Sequence, residues 1–249
     1  MIALKNDEEI AAIGAAGRIL GALFREISPR VKPGVSTADL DAFAEAFIRS
    51  HEGAVPAFKG LYGFPATLCT SINEEVVHGI PSPARVLREG DIVSVDAGVK
   101  LNGWFADAAR TYTVGEVDPE TARLIEITQQ ALAAGIAQAR AGSRLGDIGH
   151  AIQQVAEDAG FAVVRDLVGH GIGRDPHEEP QVPNYGKPGR GLRLPAGLVL
   201  AIEPMVNAGK IEVRTLADRW TVVSADGSRS AHFEHTVAVT DNGPRILTD

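Results

Sequence analysis

Two aspartates pose the chemical question. Asp96 and Asp107 lie in the run Gly90 to Thr113, G-D-I-V-S-V-D-A-G-V-K-L-N-G-W-F-A-D-A-A-R-T-Y-T. Alternating Val93, Val95, Ala97 and Val99 mark a half-buried strand there, and Asn102-Gly103 reads as a two-residue hairpin turn. With those two residues as the loop, Leu101 pairs with Trp104 and Gly98 lies opposite Asp107. Asp96 then shares a face with Asp107, diagonal to it. At about 7–8 Å between backbones, the two carboxylates are able to grip one cation from adjacent strands. Aspartate is disfavoured in strands, and charge beside an apolar face needs a partner. For this hairpin alone, a pair on a solvent-facing surface is the simpler explanation.

The second half of the chain repeats the pattern. Gly197-Leu-Val-Leu-Ala-Ile-Glu203-Pro aligns with Gly90-Asp-Ile-Val-Ser-Val-Asp96-Ala as glycine, short apolar strand, carboxylate. Leu-Arg precedes each strand (Leu87-Arg88 and Leu192-Arg193), and His-Gly-Ile lies further upstream of both (His78-Gly79-Ile80 and His170-Gly171-Ile172). Downstream, Glu234 answers Asp107 and is again followed by a β-prone run. An internal repeat that keeps polar residues at matching places is not what a solvated face requires.

Asp96, Asp107, His170, Glu203 and Glu234 thus offer four carboxylates and one imidazole without a thiolate. A structural zinc site ordinarily uses cysteine, so that reading is poor. Oxygen-rich ligation with histidine suits Mn, Fe, Co or Zn. Left empty, four crowded carboxylates repel one another and take up protons. Two divalent cations balance the four charges, and a pair about 3.5–4 Å apart suits hydrolysis by lowering the pKa of a shared water and polarising a carbonyl.

Helices must hold these strands in place. Asn6 with Glu9 forms a capping-box start, and Ile10, Ile13, Leu20, Phe24 and Ile27 give a helical stripe. A second helix carries Leu40, Phe43, Ala44, Phe47 and Ile48 and stops near Gly53. Residues 54–70 are rich in glycine, proline and aromatics and read as loop. Asp118-Pro119 opens a third helix with Leu124, Thr128, Ala131, Leu132 and Ile136 on one face. The fourth carries Ile148, Ile152, Val155 and Ala159, and its entry (Ala141 to Ile148) resembles that of the second helix (Pro33 to Leu40). Two helices and then strands, twice over, predict an α+β fold duplicated about a pseudo-twofold axis, with halves near 1–115 and 116–249 in a single catalytic domain. The halves differ by insertions: Asp96 to Asp107 spans 11 positions and Glu203 to Glu234 spans 31, leaving room for an extra turn or strand pair around Trp220.

Composition narrows the setting. At 249 residues with 45% hydrophobic and 22% charged, the chain has ordinary globular composition. A net charge of −8 argues against a nonspecific nucleic-acid binder. One cysteine, Cys69, excludes an internal disulfide framework and fits a reducing compartment. The N-terminus has no signal-peptide pattern, and no apolar run approaches the ~20 residues of a membrane span, so a soluble cytoplasmic protein is expected.

Five motifs carry a specific resemblance: H-G-I-P (78–81), D-I-V-S-V-D-A-G (91–98), G-H-G-I-G-R-D-P-H-E-E-P (169–180), A-I-E-P-M (201–205) and A-H-F-E-H-T (231–236). In this order and over nearly the whole chain, the sequence resembles the type I methionine aminopeptidases. The resemblance implies the pita-bread fold, with a central curved antiparallel sheet and helices outside. It also implies removal of the initiator methionine from nascent proteins when the second residue is small, through attack of a metal-bridging hydroxide on the first peptide bond. Residue by residue, it makes Asp96 a chelating ligand of one ion, His170 and Glu203 ligands of the other, and Asp107 and Glu234 bridging ligands. Glu203 would also take the proton from the attacking water. His78 and His177 would contact the substrate amide and stabilise the tetrahedral intermediate. Cys69, Phe64 and Trp220 fall on the positions of the family's apolar methionine pocket, which suits an unbranched thioether. Pro176, Phe58 and Leu61 depart from the family's usual choices and bear on pocket shape.

The implied partner is a nascent polypeptide N-terminus, near the ribosome, met by a monomer without nucleic-acid specificity or membrane attachment. Two alternatives belong beside this reading: a proline-directed aminopeptidase or prolidase-like enzyme of the same fold, and a catalytically silent binding module. Prolidases carry a further N-terminal domain for which this chain has no room. Silent scaffolds typically lose ligands, whereas all five are present here with both auxiliary histidines.

Overall fold

The computed structural model describes residues 2–249. The first helix begins where its spacing predicts: the Asn6 side chain accepts the Glu9 backbone N–H at 2.9 Å, and the Glu9 carboxylate accepts the Asn6 N–H at 3.0 Å. This opens α1 (Asp7–Ile27), whose Ile10, Ile13, Leu20, Phe24 and Ile27 are all buried. Ser36 and Asp39 cap α2 (Thr37–Arg49) in the same reciprocal way. In the second half Asp118 caps α3 (Pro119–Gln138), and Asp147 accepts the Arg144 N–H at 2.7 Å at the start of α4 (Leu145–Asp158). The matching aspartates Asp39 and Asp147 therefore do one job twice.

Between α2 and α3 run β1 (Ala54–Pro56), β2 (Leu68–Ile72), β3 (Glu75–Val77), β4 (Ile92–Leu101) and β5 (Trp104–Thr113). After α4 come β6 (Ala162–Val163), β7 (Gly169–Gly171), β8 (Glu178–Val182), β9 (Val199–Ile202) and β10 (Met205–Asn207). Then follow β11 (Val213–Thr215), β12 (Val222–Ser224), β13 (Ser230–His232), β14 (Glu234–Thr240) and β15 (Gly243–Ile246). Nine of them form one antiparallel sheet in the order β1-β4-β5-β14-β9-β7-β8, with β2 also on β4 and β15 on β14. Asn102-Gly103 joins β4 to β5 with Leu101 opposite Trp104 and Gly98 opposite Asp107, the register the hairpin turn dictates.

Each half packs its helices mainly on its own strands, with Val199 and Ala238 of the second half also reaching the first-half cluster. Leu20 of α1 and Leu40 of α2 share an apolar cluster with Val93, Val95, Ala97 and Val99 of β4. Ile136 of α3 and Ile148 and Ile152 of α4 share another with Leu200 of β9 and Val237 of β14. Because side chains alternate along a strand, the valine face of β4 lies under the helices and Asp96 faces away from them. The halves meet at β5 and β14, where Ala108 lies opposite His235 and Ala109 opposite Glu234. At this seam the buried Thr236 hydroxyl accepts the Asp107 N–H at 2.9 Å and donates to the Asp107 carbonyl at 2.8 Å.

Some elements differ from the sequence reading. Residues 54–70 are not loop throughout: β1 lies within them and β2 begins in them, both drawn out by pairing along one edge of the ten-residue β4. Their own local signal is weak because β1 is three residues ending in proline. The interval around Trp220 does hold an extra strand pair, β11 with β12. The match of His78 with His170 is one of order rather than of position. His170 sits within β7, whereas His78 follows β3, outside the nine-stranded sheet, with a left-handed φ of 60°.

The seam yields a test. Thr236→Val keeps the shape but strands both Asp107 backbone groups, so we expect a loss of about 1–3 kcal/mol in urea unfolding. An unchanged unfolding midpoint would remove Thr236 from this role.

Candidate metal centre

The donors fall in a row across the sheet. Cys69 on β2 lies opposite Asp96, Asp96 opposite Ala109, and Ala109 opposite Glu234. Directly opposed residues of antiparallel strands share a face. Glu203 extends the row, because it follows Ile202, the partner of His235. Asp107 lies two positions from Ala109 along β5 and so faces the same way. Ala109, buried in the middle, contributes only a methyl group and leaves room between the acids.

His170 enters from the next strand, paired with Ala201. Its Nδ1 lies 2.9 Å from the Gly171 carbonyl, which fixes the proton on that nitrogen and leaves the Nε2 lone pair free to ligate. That Nε2 is 3.5 Å from Glu203 Oε1. Asp107, His170 and Glu234 each offer a ligand atom within 4.8 Å of the others. All five expected ligands thus converge on one site.

The chemistry of this donor set fits divalent cations. Asp96 Oδ1, Asp107 Oδ1 and Glu234 Oε1 are buried with no hydrogen-bond partner among the described residues. No lysine or arginine lines the cavity to offset the acids. Burial pushes the Asp107 carboxyl up to about 7. Burial and then the Asp107 charge push Asp96, Glu203 and Glu234 well above the usual carboxylate range. Burial, with His177 beside it, lowers His170 to about 4, which keeps it neutral and able to ligate. Protons or cations must balance these acids.

A cavity of about 560 Å³ opens over the row and is lined by every residue the sequence reading assigned to substrate: His78, His177, Cys69, Phe64 and Trp220. Phe64 and Trp220 meet edge to face with centroids 5.1 Å apart. With Phe58, Ala66 and Cys69 they form a small apolar cluster at one end. Phe58 lies so close over β4 that a Cβ on Gly98 would come within 2.8 Å of its ring, so glycine is required there. Burial, then Asp96, hold the Cys69 thiol well above its ordinary pKa, which leaves it apolar wall and not a nucleophile. At the mouth, the His177 ring sits edge-on to His170 at 4.5 Å and stacks on Tyr62 at 5.9 Å.

One lining residue escaped the sequence reading. His232 is 1% exposed, both ring nitrogens lack a partner among the described residues, and its Nε2 lies 3.7 Å from Glu203 Oε2. Burial, then His78, lower it to about 3, so it is neutral. A signal existed: His232 stands two residues before Glu234 and hence on its face, whereas His235 turns away to Thr248 at 2.8 Å. The internal repeat gave no reason to notice it, since the matching position in the first half is Phe105.

Comparison with known proteins bears directly on this centre. Residues 11–241 match the model of metallopeptidase family M24. The chain belongs to family M24. Among M24 relatives, the methionine aminopeptidase of Clostridium acetobutylicum is 56% identical over 248 residues, covering 100% of this chain and 99% of that one. The crystal structure of methionine aminopeptidase from Rickettsia prowazekii superposes with a TM-score of 0.98 at 44% identity, each chain covered in full. An Xaa-Pro dipeptidase from Bacillus anthracis shares the fold at a TM-score of 0.78 and 22% identity, with 62% of its chain covered. The architecture is the M24 pita-bread fold, and the chain is a metal-dependent hydrolase. Among the described residues, no helix is long and apolar enough to cross a membrane.

The crowded acids fix a pH dependence. A carboxyl with a raised folded pKa binds its proton more tightly when native, so its stabilising contribution fades as pH rises through that value. The buried neutral histidines act oppositely, but only below their unfolded pKa of roughly 6.5. From about pH 7 to 8.5 the carboxyls dominate, joined near the upper end by the buried Cys69 thiol, which acts in the same direction. Chelator-treated protein should therefore melt at a lower temperature at the higher pH, and Mn²⁺ should remove most of that difference. A metal-free melting temperature that is flat across this range would contradict the description.

Proposed function

We propose that this chain is an aminopeptidase that removes the N-terminal methionine of nascent polypeptides whose second residue is small. The observation that carries this reading is the row of buried, unpaired carboxylates with neutral His170, in a cavity that has an apolar cluster at one end. We read residues 1–249 as one catalytic domain built from two related halves. Asp96 would hold one cation, His170 and Glu203 the other, and Asp107 and Glu234 would bridge them.

Two divalent cations of the Mn, Fe, Co or Zn type would supply an electrophile for the scissile carbonyl and lower the pKa of a water held between them. Glu203, at the edge of the acid row and 3.5 Å from His170 Nε2, would take the proton from the attacking water and return it to the leaving amine. His232 stands behind Glu203 and would restrict where that carboxylate swings. His78 and His177 both line the cavity, and their N–H groups would meet the carbonyl oxygen and substrate amide as charge develops. The cluster of Phe58, Phe64, Cys69 and Trp220 would take the methionine side chain, whose flexible thioether adapts to aromatic walls. We further propose that the enzyme works as a monomer in the cytoplasm near the ribosome, where new polypeptide N-termini emerge.

Substrate choice and metal dependence are measurable together. Purified protein stripped with chelator should be inactive on Met-Ala-Ser, and should regain turnover with two equivalents of Mn²⁺ or Co²⁺ per chain. Xaa-Pro peptides should be poor substrates throughout. A preference for Xaa-Pro would instead support the prolidase-like alternative. Asp107→Asn removes one bridging charge and should lower kcat by at least ~100-fold while the fold persists, a loss in line with deleting one group that stabilises developing charge.

A further inference from the structure

The turn that carries His177 is fastened from an unexpected direction. No hydrogen bond reaches the His177 ring or backbone among the described residues; its ring packs on His170 and Tyr62, and its backbone is carried by the turn that the next residue closes. That neighbour, Glu178, begins β8 opposite Gly171 of β7, which makes residues 172–177 the turn between His170 and His177. One Glu178 oxygen, Oε1, accepts the N–H groups of Arg174 at 2.7 Å and Asp175 at 3.3 Å, closing the turn on itself. The other, Oε2, meets the ammonium of Lys5 at 2.5 Å. Lys5 lies ahead of α1, far away in sequence, and its backbone N–H is anchored on the Gly197 carbonyl at 2.7 Å.

This ion pair is built in. The side chains of Lys5 and Glu178 are 3% and 13% exposed, and the ammonium also donates to the Ala3 carbonyl at 2.9 Å. Gly173, in the middle of the turn, has no room for a side chain: a Cβ there would lie 2.4 Å from Lys5 Cε and 2.7 Å from Glu178 Oε1. The turn therefore wraps around the lysine stem. A pair this enclosed differs from exposed ion pairs, which fix little, because loss of one partner strands the other charge away from water.

We propose that Lys5 is a positioning residue for His177: its ammonium holds the Glu178 carboxylate, that carboxylate sets the 172–177 turn, and the turn aims the imidazole into the cavity. The proposal rests on the reading that His177 contacts substrate. A small misplacement of such a group lowers the rate of the bound complex more than its affinity.

A double-mutant cycle with metal-loaded enzyme tests it. Turnover of Met-Ala-Ser is measured for wild type, Lys5→Met, His177→Ala and the double variant, with Lys5→Arg as the conservative control. Lys5→Met should lower kcat by ~10–100-fold and change KM by less than about threefold, as expected for misplacement by roughly 1 Å. In the His177→Ala background the same substitution should cost less than about twofold, because coupled residues are not additive. Lys5→Arg should recover most of the rate, and hydrogen exchange of the Arg174 and Asp175 amides should quicken in Lys5→Met. Where Lys5→Met does not fold, Glu178→Gln takes its place in the cycle. Losses that simply multiply, or a Lys5→Met enzyme with wild-type kcat, overturn the proposal while leaving the role of His177 standing. A His177→Ala enzyme as fast as wild type overturns both.

Discussion

Mutual repulsion among buried acids is the constraint on which the rest of this structure depends. Four carboxylates crowd one face of a sheet with no cationic side chain in the cavity to quiet them, and burial raises every one of them. A protein core tolerates such an arrangement only with protons or cations to balance it. The surrounding fold is built to keep the acids together in spite of this. Helices clamp the apolar face of β4 and β5 on one side of the seam and that of β9 and β14 on the other. The Thr236 hydroxyl then fixes the two strands at the junction through both backbone groups of Asp107.

Much of this was legible in the sequence because its signals are local. Asn102-Gly103 dictates the hairpin register, and that register alone sets Asp96 and Asp107 on one face. The capping residues Asn6, Ser36 and Asp118 mark helix starts within a residue. The internal repeat pointed to Glu203 as a carboxylate after a short apolar strand and to Glu234 as the downstream counterpart of Asp107. Family resemblance supplied what pattern could not, namely the roles of His78 and His177, which sit on irregular backbone.

What stayed hidden depends on partners distant in sequence. β1 and β2 are strands only because β4 is long enough to pair with both. His232 is polar, buried and unpartnered, yet the repeat places Phe105 at its counterpart, so symmetry pointed away from it. Lys5 reads in the sequence as one more surface cation before a helix. Its burial against Glu178 arises from the meeting of an N-terminal segment with a turn more than a hundred residues on.

The seam between the halves has a consequence for how the protein comes into being. Asp96 and Asp107 sit on strands completed early in synthesis, while Glu203 and Glu234 belong to strands made long afterwards. Until β14 docks on β5, the early hairpin presents a bare edge and an incomplete ligand set too sparse to retain an ion firmly. The acids of the two halves are consequently gathered into one cluster only after the second half has been made and has docked on the first.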